Sequence, residues 1–468
     1  MTIVVVGAGP AGLAAARAAT NAGEGVVLLD AADELGGQYW RHLPPARPSS
    51  NEAVLHHDWA SFVELRARLE EDARCEIVTS AHVWAIDRAG IHVLVGPADG
   101  ADRERRTYPA DAVVVATGAH DRVLPVPGWE LPGVFSAGGA QALAKGDRVA
   151  VGERVLVAGS GPFLLPVAVG VANSDSTVVG VVEASRARRV VSSWVARPWE
   201  LVGARSKVVE AASYARVFAR HRIPYVMGRA VTAIHGAECV ESVTIATVDS
   251  SWAPLAGTEY TLSVDAICLG HGFTPRLELA IALGCQLNDR RFVAIDESQR
   301  TSVVGVYAAG EITGVGGADL ALVEGTIAGH LAAGGHLDDD VLQRARSARA
   351  TWRRFAARLD AAHAIGERWS EWLTSETTIC RCEEVTYGQL RTVARVTDSA
   401  GLRSLKLTSR AALGICQGRT CGRTVEALFG AWAKEGGLID EVTTDRRPIA
   451  VPVRLGELRV DERDALSE

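Results

Sequence analysis

Four cysteines near the C-terminus carry the most specific chemistry in this sequence. One residue separates Cys380 from Cys382, 33 residues intervene before Cys416, and four more lie between Cys416 and Cys421. Four thiolates in this pattern can hold a 2Fe–2S cluster. Zinc is the competing ligand, but structural zinc sites use spacers of two to four residues, and a one-residue spacer is unusual there. Gly414, Gly418 and Gly422 flank the second pair, while Arg381, Arg419 and Arg423 lie close to both. Backbone N–H groups and positive charge are what an anionic sulfur centre needs around it. The other four cysteines, Cys75, Cys239, Cys268 and Cys285, stand singly among apolar residues and read as small buried hydrophobes.

Two glycine-rich turns are the second chemical feature. In the first, the β-branched run Thr2–Val6 enters Gly7-Ala8-Gly9-Pro10-Ala11-Gly12, an alanine-rich helical stretch follows, and the apolar run Val26–Leu29 ends in Asp30. Gly7 permits the tight turn, Gly9 lets backbone approach a diphosphate, and Gly12 lets helix lie close to strand. The helix N-terminus then faces the diphosphate with unpaired N–H groups. Asp30, 18 residues past Gly12, stands where a carboxylate meets a ribose hydroxyl. The second turn, Gly159-Ser160-Gly161-Pro162-Phe163-Leu164, repeats the pattern with Glu183 ending the next strand. Its third position is Leu164, which puts close helix–strand packing in doubt. Glu183 suits an unphosphorylated ribose, whereas Arg186, Arg188 and Arg189 suit a phosphate. NAD(H), NADP(H), ATP and no nucleotide at all stay open for Gly159, Gly161 and Glu183.

Several connecting segments must position these residues. Glu34–Arg41 holds the paired glycines Gly36 and Gly37 beside Gln38, and contains no cysteine. Ala81–Ile86 and Ile91–Val95 alternate like paired strands. Asp111–Val115 is a buried strand ending in Ala116-Thr117-Gly118. Ala266–Pro275 contains His271 between two glycines, where it is either a turn residue or one that approaches a cofactor. A further strand ends in Gly310-Glu311, and Gly314–Gly317 then opens a helix, giving another phosphate-facing N-terminus. A helical period runs from Val341 to Leu373 through Trp352, Phe355, Leu359, Ala362, Gly366 and Trp369, as expected of a connecting helix packed on its own domain. His56 and His57 are expected on the solvated face of a helix.

The chain of 468 residues is long enough for two to four domains. Hydrophobic residues make up 48% and charged residues 22%, which places it among ordinary globular proteins. The net charge of −7, without a basic block, argues against nucleic acid or an anionic membrane as a partner. Val155–Ala172 carries no charge, but Gly159, Gly161, Pro162 and Pro166 make it a strand, turn and helix start instead of a transmembrane segment. A strand beginning at residue 2 leaves no room for a signal peptide, so a cytoplasmic protein is expected. The fold class is α/β: two Rossmann-like dinucleotide-binding domains and a small, mainly α iron–sulfur domain. The expected boundaries are 1–123 with 268–340, then 124–267, a connecting helix at 341–375, the cluster domain at 376–435 and a tail at 436–468.

Ala116-Thr117-Gly118 and the strand leading to Gly310 resemble the two-dinucleotide-domain flavoproteins. The disulfide reductases of that class place a cysteine pair just after glycines like Gly36 and Gly37, so dithiol chemistry is not expected here. The resemblance implies FAD contacts at Gly7, Gly9, Pro10, Ala11, Gly12, Asp30, Gly37, Gln38, Val83, Ala116, Thr117, Gly118, Gly310 and Glu311. Many relatives have aspartate where this chain has Glu311. The spacing of Cys380, Cys382, Cys416 and Cys421 resembles the bacterioferritin-associated-ferredoxin type of 2Fe–2S domain. Taken with Gly36–Arg41, Gly159–Pro162, Thr301–Gly325 and Arg447–Gly456, it makes nearly the whole chain similar to the alpha-type subunits of heteromeric flavin amine and amino-acid dehydrogenases. That family includes opine oxidases, D-hydroxyproline or L-proline dehydrogenases, and hydrogen-cyanide-forming glycine dehydrogenase. The likeness implies a beta flavin subunit that oxidises the carbon–nitrogen bond, a small ferredoxin-like gamma subunit in some assemblies, and room for an FMN at the interface. No carboxylate clamp or placed base marks a substrate site in this chain. Two other readings remain: a self-sufficient NAD(P)H:acceptor oxidoreductase, and a non-enzymatic scaffold or ferredoxin-like module.

Overall fold

The structure, a computed structural model, describes residues 1–44, 46–47, 52–87, 89–196, 203–397, 401–433, 447 and 449–458. Of the expected tail, 447 and 449–458 are described; the remainder, Pro448 included, lies outside the described residues. The chain divides into two compact units, Met1–Gly118 with Pro275–Ala350 and Arg446–Glu468, and Ala119–Thr274 with Thr351–Asp445.

The first unit is built on a five-stranded parallel sheet ordered Val306–Ala308, Ala112–Val115, Thr2–Val6, Gly25–Leu29 and Cys75–Val78. All but the edge strand Cys75–Val78 are apolar on both faces because the sheet is covered on both. Helix Pro10–Asn21 lies beside helix Gly317–Ala332 on one side. Glycines set how close they come: a Cβ on Gly325 would stand 2.0 Å from the Ala11 carbonyl oxygen, and one on Gly329 2.0 Å from that of Ala15. A three-stranded antiparallel meander, Ala81–Asp87, Gly90–Val95 and Glu104–Tyr108, completes the unit. Arg103 binds both carboxylate oxygens of Glu457 at 2.7 Å, and the Ala450 N–H donates to the Trp84 carbonyl, so the described tail is pinned to this meander.

The second unit repeats the plan. Its parallel sheet runs Tyr225–Met227, Thr177–Glu183, Arg154–Gly159, Ala266–Gly270 and Val134–Ser136, with an antiparallel meander of Arg229–His235, Ser242–Thr247 and Tyr260–Ser263. The segment around the four cysteines packs into the same hydrophobic core as this meander. The Trp252 and Trp372 rings stack 5.9 Å apart, and the Trp372 indole N–H donates to the Trp252 carbonyl at 2.8 Å. A short hairpin, Thr378–Cys380 with Val385–Thr386, leads into helix Tyr387–Val396, which starts with a reciprocal capping box between Thr386 and Gln389. Helices Leu402–Ser409 and Gly422–Ala433 follow.

Two expected elements differ. The helical period to Leu373 is realised only as helix Gln343–His363, followed by a 3₁₀ turn at Trp369–Trp372. Gly366 breaks it, passing so close to Ser251 and Trp252 that a Cβ would lie 2.4 Å from the Ser251 carbonyl oxygen. His56 is not solvated: it is 5% exposed, its ring lies 4.9 Å from Trp59, and Nε2 contacts the Arg41 carbonyl at 2.6 Å. Flanking polar residues disguised a histidine that closes an aromatic layer. Among the described residues no helix is long and apolar enough to cross a membrane.

Candidate functional site

In the first unit, the expected flavin-contacting residues gather at the C-terminal end of the parallel sheet. Gly7 has φ +104°, and a Cβ there would stand 2.3 Å from the Ala116 carbonyl oxygen. Gly12 carries the close approach of helix to strand, since its Cβ would fall 1.7 Å from the Gly7 carbonyl oxygen. Gly9 is open by contrast; an added Cβ meets only the Cα of Gly37, 3.9 Å away. Pro10 occupies the first helical turn, where its missing N–H leaves no gap in the helix ladder, and Ala11 is buried beside it. Asp30 accepts from the Ala32 N–H at 2.8 Å and the Ala8 N–H at 2.5 Å. Burial nonetheless raises its carboxyl above the ordinary value. Each oxygen keeps a lone pair for a further donor such as a ribose hydroxyl.

The rim is formed by three further segments. Gly36 donates to the Ala8 carbonyl at 2.9 Å, Gly37 takes φ +59° against Gly9, and Gln38 is exposed, with Arg41 Nε 3.3 Å from its Oε1. The Thr117 hydroxyl donates to the Arg276 carbonyl at 2.9 Å, while Gly118, at φ +69°, has nothing within 4 Å of an added Cβ. The Gly310 N–H donates to Glu324 at 3.1 Å, and Glu311 next to it is partly buried. Val83 is placed differently: its side chain is buried in the core below the meander, leaving only backbone groups to face a ligand. Glu324 escaped sequence reading. It is 1% exposed and also accepts from the Thr313 hydroxyl at 2.8 Å, tying the Gly310 turn to the following helix. A lone acid within Ala321-Leu322-Val323-Glu324-Gly325 was its available signal.

In the second unit, the Gly159 turn keeps the backbone logic of the Gly7 turn. Gly159 has φ +145°, with a Cβ position 1.7 Å from the Gly270 carbonyl oxygen. Leu164 replaces the third glycine by filling the core itself, at 1% exposure. Glu183 is fully buried and accepts from the Gly161 N–H at 2.8 Å, the Ser185 N–H at 2.9 Å and the Tyr225 hydroxyl at 3.3 Å. Burial works to raise its carboxyl, but His363, 3.5 Å away, and these N–H donors prevail and hold it below the ordinary value. Arg186 donates to the Val248 carbonyl and Arg189 to that of Ala361. His271 is a buried structural residue: its Nδ1 accepts from the Leu124 N–H, and burial pushes its pKa down to about 3.

The four cysteines converge. The Cys421 thiol contacts Cys380 and Cys416, and Cys416 contacts Cys382, giving a string of sulfurs. Backbone N–H groups of Ala412 and Glu383 point at Cys380, those of Gly418 and Thr420 at Cys416, and that of Cys416 at Cys382. The Cys421 contact, aided by these donors, holds Cys380 down at about 6 and Cys416 at about 4, while Cys421 and Cys382 are raised. Among the described residues no group of three or more His, Cys, Asp or Glu is arranged to hold a metal ion. Four thiols are the donor type that a two-iron cluster takes. Of the flanking glycines, Gly418 aims its N–H at the Cys416 sulfur, whereas Gly422 donates to the Gly418 carbonyl. Gly414 serves by closeness, since its Cβ would lie 2.2 Å from that of Cys382. Two of the expected arginines turn to other groups, Arg381 over the Trp129 ring and Arg423 onto Glu426, while Arg419 stays beside the cysteines on the Cys416 carbonyl. Of the four single cysteines, Cys268 and Cys285 are buried, Cys75 is half-buried and Cys239 is exposed, against expectation.

Comparison with known proteins accords with this geometry. The family model described as pyridine nucleotide-disulphide oxidoreductase matches residues 1–333. The A subunit of opine oxidase from Rhizobium meliloti is 32% identical over 97% of this chain and 86% of its own length. Hydrogen cyanide synthase subunit HcnB of Pseudomonas aeruginosa is 30% identical over 89% of this chain and 90% of its own. Among solved structures, L-proline dehydrogenase from P. horikoshii covers 98% of this chain and 80% of its own, with a TM-score of 0.67 at 21% identity, a likeness of fold.

Proposed function

The chain belongs to the pyridine nucleotide-disulphide oxidoreductase family, as an FAD-dependent oxidoreductase, and from that premise we propose that it is the electron-transferring subunit of a heteromeric amine or amino-acid dehydrogenase. In this reading it carries FAD in the first unit and a 2Fe–2S cluster on Cys380, Cys382, Cys416 and Cys421. A beta flavin subunit oxidises the carbon–nitrogen bond, and a small gamma subunit completes some assemblies. The observation that carries the reading is the end-to-end likeness to the opine oxidase A subunit, itself one part of a larger enzyme. The likeness to HcnB of hydrogen cyanide synthase points the same way.

The residues support this division of labour. The first cysteine of the chain is Cys75, so no dithiol follows Gly36 and Gly37 and disulfide reduction has no nucleophile there. Gly9 and Gly118 leave room for a flavin nucleotide, and Asp30 offers acceptor positions to its ribose. Five backbone N–H groups point at three of the four sulfurs, which lowers the energy of added negative charge. When bound, a flavin accepts a hydride and an iron–sulfur cluster passes single electrons, which together supply a two-to-one electron relay.

Anaerobic purification tests the proposal. Iron, acid-labile sulfide and flavin are expected together in wild-type protein, and Cys416→Ser is expected to lose the iron while retaining the flavin. Dye reduction by amines should require a co-purified partner chain. Full-rate substrate oxidation by this chain alone, or iron-free wild-type protein, would sink the assignment.

A further inference from the structure

The second dinucleotide fold is complete in its backbone, yet the place for a ligand is filled. Helix Gln343–His363 ends against the Gly159–Gly161 turn. The Ser160 hydroxyl donates to the His363 carbonyl at 3.1 Å, and Arg189 Nε donates to the Ala361 carbonyl at 3.0 Å. A Cβ built on Gly161 meets one atom within 4 Å, the Cβ of His363. The His363 ring covers Glu183, with Nδ1 3.5 Å from Oε2, and its side chain is 11% exposed. One and two turns earlier the same helix is anchored by Arg358, which donates to the Trp194 carbonyl at 3.0 Å, and by Phe355, whose ring lies 5.1 Å from that of Trp194.

The chemistry of these contacts is that of a substituted ligand. A helix C-terminus carries partial negative charge on carbonyls that have no partner within the helix. In an open fold, the turn and its nearby arginine meet phosphate oxygens. Here Ser160 and Arg189 meet helix carbonyls. An open fold presents its strand-end acid to a ribose. Here Glu183 already accepts from Gly161, Ser185 and Tyr225 and has His363 above it. A nucleotide would have to displace the helix end, strip Arg189 and Ser160 of their partners, and leave the His363 and Ala361 carbonyls unsatisfied.

We infer that the C-terminal end of helix Gln343–His363 is an internal plug, and that the second dinucleotide fold of this chain takes neither a nicotinamide dinucleotide nor ATP. The fold is retained as architecture, carrying the core that supports the cysteine segment. The inference stands apart from the proposed function, because it concerns only residues of the second unit and holds whichever substrate or partner the enzyme has.

The test uses full-length, flavin-loaded protein. Isothermal titration with NAD⁺, NADH, NADPH and ATP should give no saturable heat. Diethyl pyrocarbonate labelling, read by peptide mass spectrometry, should modify His363 at least about tenfold more slowly than exposed His221, since the reagent reaches a covered ring only through local opening. Added nucleotide should leave that rate unchanged. Glu183→Gln should speed His363 labelling by weakening the ring's seat. Saturable binding that Glu183→Gln abolishes would overturn the inference, as would wild-type His363 labelled at the rate of His221 and protected by nucleotide.

Discussion

The two dinucleotide folds of this chain share the order of four of their five strands, turn chemistry and a terminal acid, yet one is open and the other closed. In the first, Gly9 faces only Gly37, and Gly118 faces nothing within 4 Å. In the second, Gly161 meets the Cβ of His363 at 4.0 Å, no tighter than the contact of Gly9. That atom, however, belongs to a helix end whose carbonyls occupy Ser160 and Arg189, and the strand-end acid is fully buried. The acids register the difference. Burial raises Asp30, whereas His363 and backbone donors outweigh burial and lower Glu183. A glycine motif therefore builds a place for a diphosphate, and chain arriving from elsewhere decides whether the place is free. The same principle separates the third motif positions. Gly12 is pressed against the Gly7 carbonyl with no space for a methyl group, whereas Leu164 is itself a core residue.

Substitutions can break this comparison. The largest effect is expected from Gly12→Val. Its side chain would collide with backbone that cannot yield, adding about 3 kcal/mol or more of strain. Purified variant should contain no flavin by absorbance, and retained flavin would show that the first turn does not depend on that approach. Next come the two acids. Glu183→Gln should lower stability by about 1–3 kcal/mol through unmatched buried partners while leaving flavin content unchanged. Asp30→Asn should act on the ligand, weakening FAD roughly ten- to a hundredfold for one lost carboxylate hydrogen bond, as measured by fluorescence on flavin release. If both variants lose flavin equally, the two folds are not functionally distinct.

The pH dependence of stability sharpens the contrast because the signs are opposite. The folded-state carboxyl of Glu183 is lowered, so its contribution is present above the unfolded glutamate value, roughly 4.3. It is lost as pH falls below that value through the folded one. Asp30 is raised in the folded protein, so it opposes folding as pH rises past the unfolded aspartate value, roughly 3.9. Thermal unfolding across mild acid should show the gap between wild type and Glu183→Gln closing as pH falls, with no such closing for Asp30→Asn. The smallest effect is expected from Arg189→Ala, about 0.5–1 kcal/mol for one partly exposed contact to the Ala361 carbonyl, seen as a shift of the unfolding midpoint. A loss of flavin from this variant would contradict the separation of the two folds.

Much of the architecture was legible in the sequence. The β-branched runs entering Gly7 and Gly159, the period-2 strands of Ala81–Ile86 and Ile91–Val95, and the strand ending at Gly118 all appear where local pattern places them. The site was legible wherever local geometry demands one residue type, as at Gly7 and Gly12. It was not legible where a residue's role comes from a distant partner. His56 reads as surface until Trp59 and Arg41 are seen around it. Gly366 reads as one step of a helical period until Ser251 is found against it. Arg381 and Arg423 read as counter-charges to the thiols until Trp129 and Glu426 are found against them.

By itself, the sequence determined two strand–turn–helix units, the acids that end them and a set of four thiols, because spacing and side-chain type act over a few neighbouring residues. Only the tertiary structure decided that the thiols meet and that the second fold is closed. The physical reason is sequence distance: Ser160 meets the His363 carbonyl across 203 residues, and Arg189 meets that of Ala361 across 172. No local periodicity records such contacts.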